Sequence, residues 1–389
     1  MKKKVLIMAG YYLPSVKGGG PIQSIKNIVD NLSDRFDFYI VAADRDLGDI
    51  EPFRNIVVDT WVRVGKAKVY YTDISTLNWE ITKKIIDDSH CKIMYLNSFF
   101  DYKFTIVPLI LNKSKKIDVN KIIVAPRGQF SPGALGLKSK KKKLFISVSK
   151  IFGLYKNLLW HATADSEKEH IHKIFGDEAN IIVANNLTAN YSNLTYDKDL
   201  EKSKGELRIV FVSRIHPKKN LKLAIQLLSK INGTVIFNIY GPIEDVQYWE
   251  ECKREIAKLP INITVNYQGI VNHEDIMSVF NKHHVFLFPT LGENFGHVIS
   301  EALIGGCPVI ISDQTPWRDL NQLQVGWDIN LKDENKFIEA IQTCVDFKED
   351  EYREMSINAF NYGKQSSNSD SEIQNYIKLF NYIEDSNLN

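Results

Sequence analysis

The residues with the clearest capacity for chemistry lie between Pro289 and Leu303, in the run Pro-Thr-Leu-Gly-Glu-Asn-Phe-Gly-His-Val-Ile-Ser-Glu-Ala-Leu. Gly292 and Gly296 free the backbone, and Glu293 and Glu301 stand eight positions apart across a turn and the start of a helix. Ionised carboxylates accept stronger hydrogen bonds than neutral groups, which suits them to sugar hydroxyls. Core packing accounts for Phe295, Val298, Ile299, Ala302 and Leu303, but it does not call for two glutamates. A second constellation, Ser213-Arg-Ile-His-Pro-Lys-Lys-Asn220, follows an apolar strand and precedes a helical pattern. A helix start favours negative charge, so Arg214 and Lys219 beside one read either as a metal-free diphosphate cradle or as a solvated charge cluster. A third, Gly18-Gly19-Gly20-Pro21, opens a helix whose apolar residues are Ile22, Ile25, Ile28, Val29 and Leu32. Proline at a first helical position and glycines before it suit either an anion on exposed backbone N–H groups or a plain turn.

These segments need elements to hold them. Buried parallel strands are expected at Val5–Ala9, Phe38–Ala42, Ile93–Leu96 and Ile122–Ala125. After the polar stretch Thr188 to Lys204 the rhythm restarts at Leu207–Val212, Val235–Ile239, Val285–Phe288 and Val309–Ile311. Helical spacing occupies Leu221–Lys230, Glu244–Lys258, Glu274–Lys282 and Phe295–Gly305. Such alternation predicts an α/β fold of two doubly wound, Rossmann-like domains whose chemistry sits in post-strand loops facing across a cleft. The expected organisation is a first Rossmann-like domain over 1–187, a linker over 188–204, a second Rossmann-like domain over 205–365, and a C-terminal helix over 366–389 packing back on the first domain. The aromatic-rich stretch Glu351 to Asp385 reads as helical.

A chain of 389 residues suits two domains, and 44% hydrophobic with 25% charged residues suits a folded protein. Forty-nine basic against 47 acidic residues give no global case for nucleic-acid binding. Cys91, Cys252, Cys307 and Cys344 form no paired spacing, so neither a disulfide framework nor structural zinc is expected, and a cytoplasmic location fits. The N-terminal Met-Lys-Lys-Lys followed by Val5 to Gly10 reads as a first strand, not a signal peptide. No run of roughly eighteen apolar residues marks a membrane span. Lys138, Lys140, Lys141, Lys142 and Lys143 run into Leu144-Phe145-Ile146, an arrangement suited to peripheral contact with an anionic leaflet. Asp44-Arg45-Asp46 is a D-x-D pattern with no further carboxylates close by, and metal binding is not expected there. The histidines show no ligand spacing.

With these motifs in place, the chain resembles glycosyltransferase family 4, of GT-B fold. The resemblance rests on the triple glycine, Ala125-Pro126-Arg127-Gly128, the segment His161 to Glu169, Arg214 with Lys219, Tyr240-Gly241-Pro242, Gln268-Gly269, and Glu293 to Glu301 in the E-x7-E arrangement. It implies retaining transfer of a hexose-type sugar from a nucleotide-diphosphate sugar, a UDP-sugar being favoured, with no cofactor and no metal. The implied acceptor is a saccharide or lipid-linked saccharide of polysaccharide or glycoconjugate synthesis, at the inner face of the cell membrane. It assigns Arg214 and Lys219 to the leaving diphosphate. Glu293 and the backbone of Asn294, Phe295 and Gly296 would hold the donor sugar, and Glu301 the ribose. Gly18, Gly19, Gly20, Gly241, His297 and Val298 complete the implied donor contacts. Two departures stand out: Arg127 replaces a histidine common in the family beside the sugar, and Asn185-Asn186-Leu187-Thr188 replaces an Asn-Gly-Val-Asp turn. The alternatives are a nucleotide-sugar epimerase or hydrolase of the same fold, and a non-catalytic partner of another transferase.

Overall fold

Alternate side chains of the first strand, β1 (Lys3–Met8), go to opposite faces of its sheet: Val5 and Ile7 join one apolar cluster, Leu6 and Met8 the other. A strand buried on both faces needs helices on both, and that requirement organises the whole chain. The computed structural model describes residues 2–131, 134–135, 139–189, 191, 193–367 and 370–382. Unit 1 comprises Met1–Ala189 with Asn368–Asn389, and unit 2 comprises Asn190–Ser367.

Unit 1 holds β1, β2 (Phe36–Ala43), β3 (Trp61–Val64), β4 (Ala67–Thr72), β5 (Ile93–Leu96), β6 (Lys121–Val124), β7 (Leu159–Ala162) and β8 (Ile181–Val183). Their spatial order is β3-β4-β2-β1-β5-β6-β7-β8, parallel throughout except the β3–β4 pair. The helices are α1 (Gly20–Leu32), α2 (Trp79–Ser89), α3 (Val107–Lys113), α4 (Ser139–Ile151) and α5 (Asp165–Phe175), with a π-helical turn at Tyr102–Ile106. Ile25, Ile28, Val29 and Leu32 of α1 cover one face. Ile85, Ile86, Leu109 and Ile171 of α2, α3 and α5 cover the other.

Unit 2 holds β9 (Glu206–Val212), β10 (Thr234–Tyr240), β11 (Ile263–Gly269), β12 (Val285–Phe288), β13 (Val309–Ser312) and β14 (Gly326–Ile329), in the parallel order β11-β10-β9-β12-β13-β14. Its helices are α6 (Leu221–Leu228), α7 (Val246–Ile256), α8 (Ile276–Asn281), α9 (His297–Ile304), α10 (Glu334–Asp346) and α11 (Glu349–Gln365). The chain leaves β9 toward β10 on one side and returns to β12 on the other, so strand order reverses between β9 and β12. Ligands of open parallel sheets bind at the carboxyl ends of such a switch point.

The polar stretch after Ala189 is anchored to unit 2. Lys198 is buried, and its ammonium donates to the carbonyls of Phe280, His283 and Gly306 at 2.6–3.0 Å. The last helix, α12 (Asp370–Asn381), returns to unit 1, where Tyr376, Leu379 and Phe380 join the cluster that α1 covers. The described residues of the stretch expected to be helical, Glu351 to Asp385, belong to α11 and α12, which serve different cores.

Three histidines are buried in states that only the neutral ring satisfies. His284 Nδ1 accepts from the Arg208 N–H at 2.9 Å while its other nitrogen meets the Glu201 carbonyl at 3.0 Å. His161 bridges the Tyr95 hydroxyl and the Ala184 carbonyl, and His283 bridges the Asn238 amide and the Val279 carbonyl. Burial lowers their pKa values to about 3 for His161 and His284 and about 4 for His283. The unfolded chain therefore binds protons near pH 6.5 that the folded chain refuses, so stability is full above pH 6.5 and falls as pH drops toward 4. Unit 2, with two such rings, should lose stability at up to about 3 kcal/mol per pH unit near pH 5, and unit 1 at about half that slope. Denaturant melts across pH 7 to 4.5 check this; a flat profile down to pH 5 would contradict it.

Candidate active site

At the switch point of unit 2 the loops after β9 and β10 lie side by side. The Ser213 N–H donates to the Tyr240 carbonyl at 3.0 Å, and Ile215 and Ile243 form a parallel bridge. Gly241 makes this approach possible: at φ 135° its backbone runs so close to Ser213 that a Cβ would fall 1.9 Å from the carbonyl oxygen. The contact brings Arg214 to Glu244, with Nη1 to Oε2 at 2.6 Å and both side chains about one-third exposed. Pro217–Lys219 form a single 3-10 turn, and Asn220, at φ 58°, ends it before α6 begins at Leu221. Arg214 and Lys219 thus precede the helix instead of standing in its first turn.

The loop after β12 closes on that turn. The Leu291 N–H donates to the Lys218 carbonyl at 2.9 Å, and the Asn220 amide donates to the Pro289 carbonyl at 2.9 Å. Lys219 Nζ consequently meets Glu293 Oε1 at 2.6 Å, where Thr290 Oγ1 also donates at 3.0 Å. Both members of this pair are only 12–13% exposed, and Lys219 lies over the Phe288 ring at 5.6 Å. The Glu293 N–H donates to the Gln314 carbonyl at 2.9 Å, fixing the turn.

Gly296, at φ 80°, sets the chain into α9; a Cβ there would meet Ile299 Cδ1 at 2.8 Å. His297 and Val298 form the first turn, where backbone N–H groups have no acceptor within the helix and the dipole is positive. Trp317 Nε1 donates to the Phe295 carbonyl at 2.7 Å, and the Phe295 ring packs between His297 and Trp317 at 4.9 and 5.7 Å. Glu301, buried one turn further on, holds His273 Nε2 at 3.0 Å.

Arg214, Lys219, Gly241, Glu293 to Val298 and Glu301 therefore all border one switch point. Thr290 and Asn220, inside runs singled out in the sequence but given no role there, join them, as do Glu244, His273 and Trp317, which are found only once the strand order is known.

In unit 1, Arg127 adopts φ 53° at the carboxyl end of β6, an uncommon backbone state for a side chain. Its guanidinium is held internally, donating to Asn97 Oδ1 at 2.8 Å, Asn186 Oδ1 at 2.5 Å and the Tyr95 hydroxyl at 2.7 Å. Tyr95 passes the chain of hydrogen bonds to His161. Glu167 receives the Gly128 N–H at 2.6 Å together with the Thr163 N–H and hydroxyl. Arg127 is thereby a brace for its own loop, with most of its donors committed to protein oxygens. Gly18 and Gly19 lead into α1, which begins at Gly20 with Gly19 as its cap at φ 64°. Asp46 of the D-x-D pattern takes the Ser15 hydroxyl at 2.5 Å and the Val16 N–H at 2.9 Å, and Asp44 pairs with Arg45 at 2.8 Å. Both carboxylates thus brace loops. Among the described residues no three His, Cys, Asp or Glu side chains gather in a metal-binding group. All four cysteines are free and buried.

Residues 193–362, within unit 2, match the family described as Glycosyl transferases group 1. A curated relative, an uncharacterized 41.2 kDa protein in the cps region of Klebsiella pneumoniae, is 27% identical over 183 residues. The alignment spans 45% of this chain and about half, 48%, of that protein's length. Among solved structures, a sucrose-phosphate synthase from Thermosynechococcus elongatus matches with TM-score 0.70 and 14% identity over 98% of both chains. Anabaena HepE in complex with UDP and glucose matches with TM-score 0.68 and 15% identity, over 98% of this chain and 100% of that one. WaaG, a glycosyltransferase involved in lipopolysaccharide biosynthesis, matches with TM-score 0.63 and 12% identity over 97% and 100%. At these identities the likeness carries the fold: two α/β domains with mostly parallel sheets, as in GT-B glycosyltransferases.

Proposed function

We propose that this chain is a retaining, metal-independent glycosyltransferase that moves a hexose from a nucleotide-diphosphate sugar, a UDP-sugar by preference, to a saccharide or lipid-linked acceptor. The observation that carries this reading is the pairing of Lys219 with Glu293, beside Arg214 with Glu244, at the switch point of a group 1 glycosyl transferase domain. An entering diphosphate offers both cations a better partner than a carboxylate, because it presents more charge in the same place. Glu293 then becomes an acceptor for sugar hydroxyls, and the first-turn N–H groups of α9 face the anion. Charge that develops on the leaving diphosphate is met by groups already in position, which is the larger part of such catalysis. Glu301, steadied by His273, suits the ribose hydroxyls. HepE was captured with UDP and glucose, and WaaG belongs to lipopolysaccharide synthesis, which supports the donor class and a surface-glycan pathway for this chain. The test is proton NMR of a UDP-α-hexose incubated in EDTA with a bacterial lipid extract as acceptor. The first product anomer should be α with UDP released, whereas a β anomer would rule out retention.

The same reading places the enzyme at the inner face of a membrane. No helix among the described residues is long and apolar enough to cross one. On α4, however, Leu144, Val148 and Ile151, with Phe152 just beyond, are 41–81% exposed at helical spacing, flanked by Lys140, Lys141 and Lys143. Lys142 instead turns inward to the Ala134 carbonyl at 2.6 Å, and Lys138 lies outside the described residues. Each lysine near an anionic surface contributes about 1 kcal/mol, and the apolar face adds burial. Vesicles rich in phosphatidylglycerol should therefore float the protein at low salt, and Leu144→Ser with Ile151→Ser should abolish flotation. Equal recovery on neutral and anionic vesicles would overturn this placement.

A further inference from the structure

The amino ends of the unit 1 strands, at the opposite edge of the sheet from Arg127, line an open recess of about 780 Å³. Its walls are the starts of β1, β5, β6 and β7 and the residue before β8, and the carboxyl end of α12 borders it. Lys2, Lys3, Lys4, Lys92 and Lys121 line it, and no Asp or Glu is among the described residues that do. Asn120, Asn157, Asn180 and Asn381 line it as well. Leu158 and Leu159 supply its apolar part, and the fully buried Phe380 belongs to the core behind it.

Three of the lysines have partners that explain them. Lys92 pairs with the exposed Asp118, Lys2 donates to the Ser33 carbonyl at 2.6 Å, and Lys4 lies over the Tyr39 ring at 5.3 Å. Lys3 and Lys121 instead converge at the end of α12. Lys3 Nζ donates to Asn381 Oδ1 at 2.8 Å, and Lys121 Nζ donates to the Phe380 carbonyl at 3.2 Å and faces the Tyr382 ring at 5.9 Å. Capping the carboxyl end of a helix favours a cation there, but it calls for neither a second one beside it nor a recess in front. Burial first, and Lys3 second, lower the Lys121 pKa to about 8. Two ammonium groups held together beside a recess are unfavourable until an anion joins them. The volume falls in the range of small-molecule sites.

We propose that this recess binds a phosphorylated ligand, the phosphate between Lys3 and Lys121 and an apolar portion against Leu158 and Leu159. A lipid phosphate and a free phosphorylated metabolite share this chemistry. The site does not depend on the sugar-transfer reading, because none of its residues borders the switch point of unit 2.

Amine acylation of the full chain, read lysine by lysine by peptide mass spectrometry, tests it with sodium pyrophosphate and decyl phosphate as probes. At about ten times Kd, acylation of Lys121 should slow about tenfold, since only the free fraction reacts. Lys230, on the surface of unit 2, serves as the unaffected reference. Lys3→Gln should remove the protection of Lys121 while leaving the thermal unfolding of the unliganded protein unchanged. Protection by both probes assigns the site to phosphate groups in general, and protection by decyl phosphate alone assigns it to lipid phosphates. Equal acylation of Lys121 with and without both probes would overturn the proposal, as would protection that survives Lys3→Gln.

Discussion

Glu293→Gln should lower kcat/KM by roughly 10²–10³-fold or more, the scale on which losing one preorganised group at a reacting centre is felt. The substitution keeps the shape of the side chain but removes the charge that Lys219 meets at 2.6 Å in a site where both residues are 12–13% exposed. Removing one member of a buried pair leaves the other without compensation, which costs about 3–5 kcal/mol in fully buried cases and less here. The variant should therefore melt below wild type. A nucleoside diphosphate should raise the melting temperature of the variant more than that of wild type, because its phosphates supply the missing anion. A steady-state assay with parallel thermal melts checks both halves. Wild-type turnover in a folded Glu293→Gln protein would remove this residue from the chemistry.

Arg214→Ala and Glu244→Gln should move nucleotide affinity in opposite directions. Arg214 can give a charge-assisted hydrogen bond to a diphosphate, and losing it should weaken binding about tenfold to a hundredfold. Glu244 holds the same guanidinium at 2.6 Å, with both side chains about one-third exposed and open to solvent screening. Such a pair contributes about 1 kcal/mol or less, so Glu244→Gln should tighten binding by a few-fold at most, through loss of a competitor and of a repelling charge. Calorimetric titration with UDP separates the two. Weaker binding in Glu244→Gln would mean that the carboxylate takes part in the site instead of yielding to the ligand.

Much of the fold is legible in the sequence because strands buried on both faces appear as continuous apolar runs. β1, β2, β5, β6, β9, β10, β12 and β13 all coincide with runs read from the sequence. Four of the six strands that escape have visible reasons to, while β4 and β8 do not. β3 is a half-exposed edge strand, β7 carries His161 in its middle, and β11 and β14 mix polar with apolar residues at the sheet edges.

For the candidate site, residue types were legible and partnerships were not. Glu293 and Lys219 are 74 positions apart and meet only because β12 lies beside β9, a fact of strand order. The pairing of His273 with Glu301 depends likewise on the turn that follows β11. Arg127 shows the converse. Its position before Gly128 suggests a residue beside the sugar, while the structure commits its guanidinium to Tyr95, Asn97 and Asn186. A sequence shows that a charge is present, but not which internal oxygens will take it.

Calorimetry of UDP, GDP, ADP and CMP in EDTA, against wild type and Arg214→Ala, tests the proposed metal-free nucleoside-diphosphate site in unit 2. Saturable binding of one diphosphate, UDP by preference, is expected without added cation and weakened at least about tenfold in the variant. Binding that appears only with a divalent cation, or that is the same in Arg214→Ala, would contradict it.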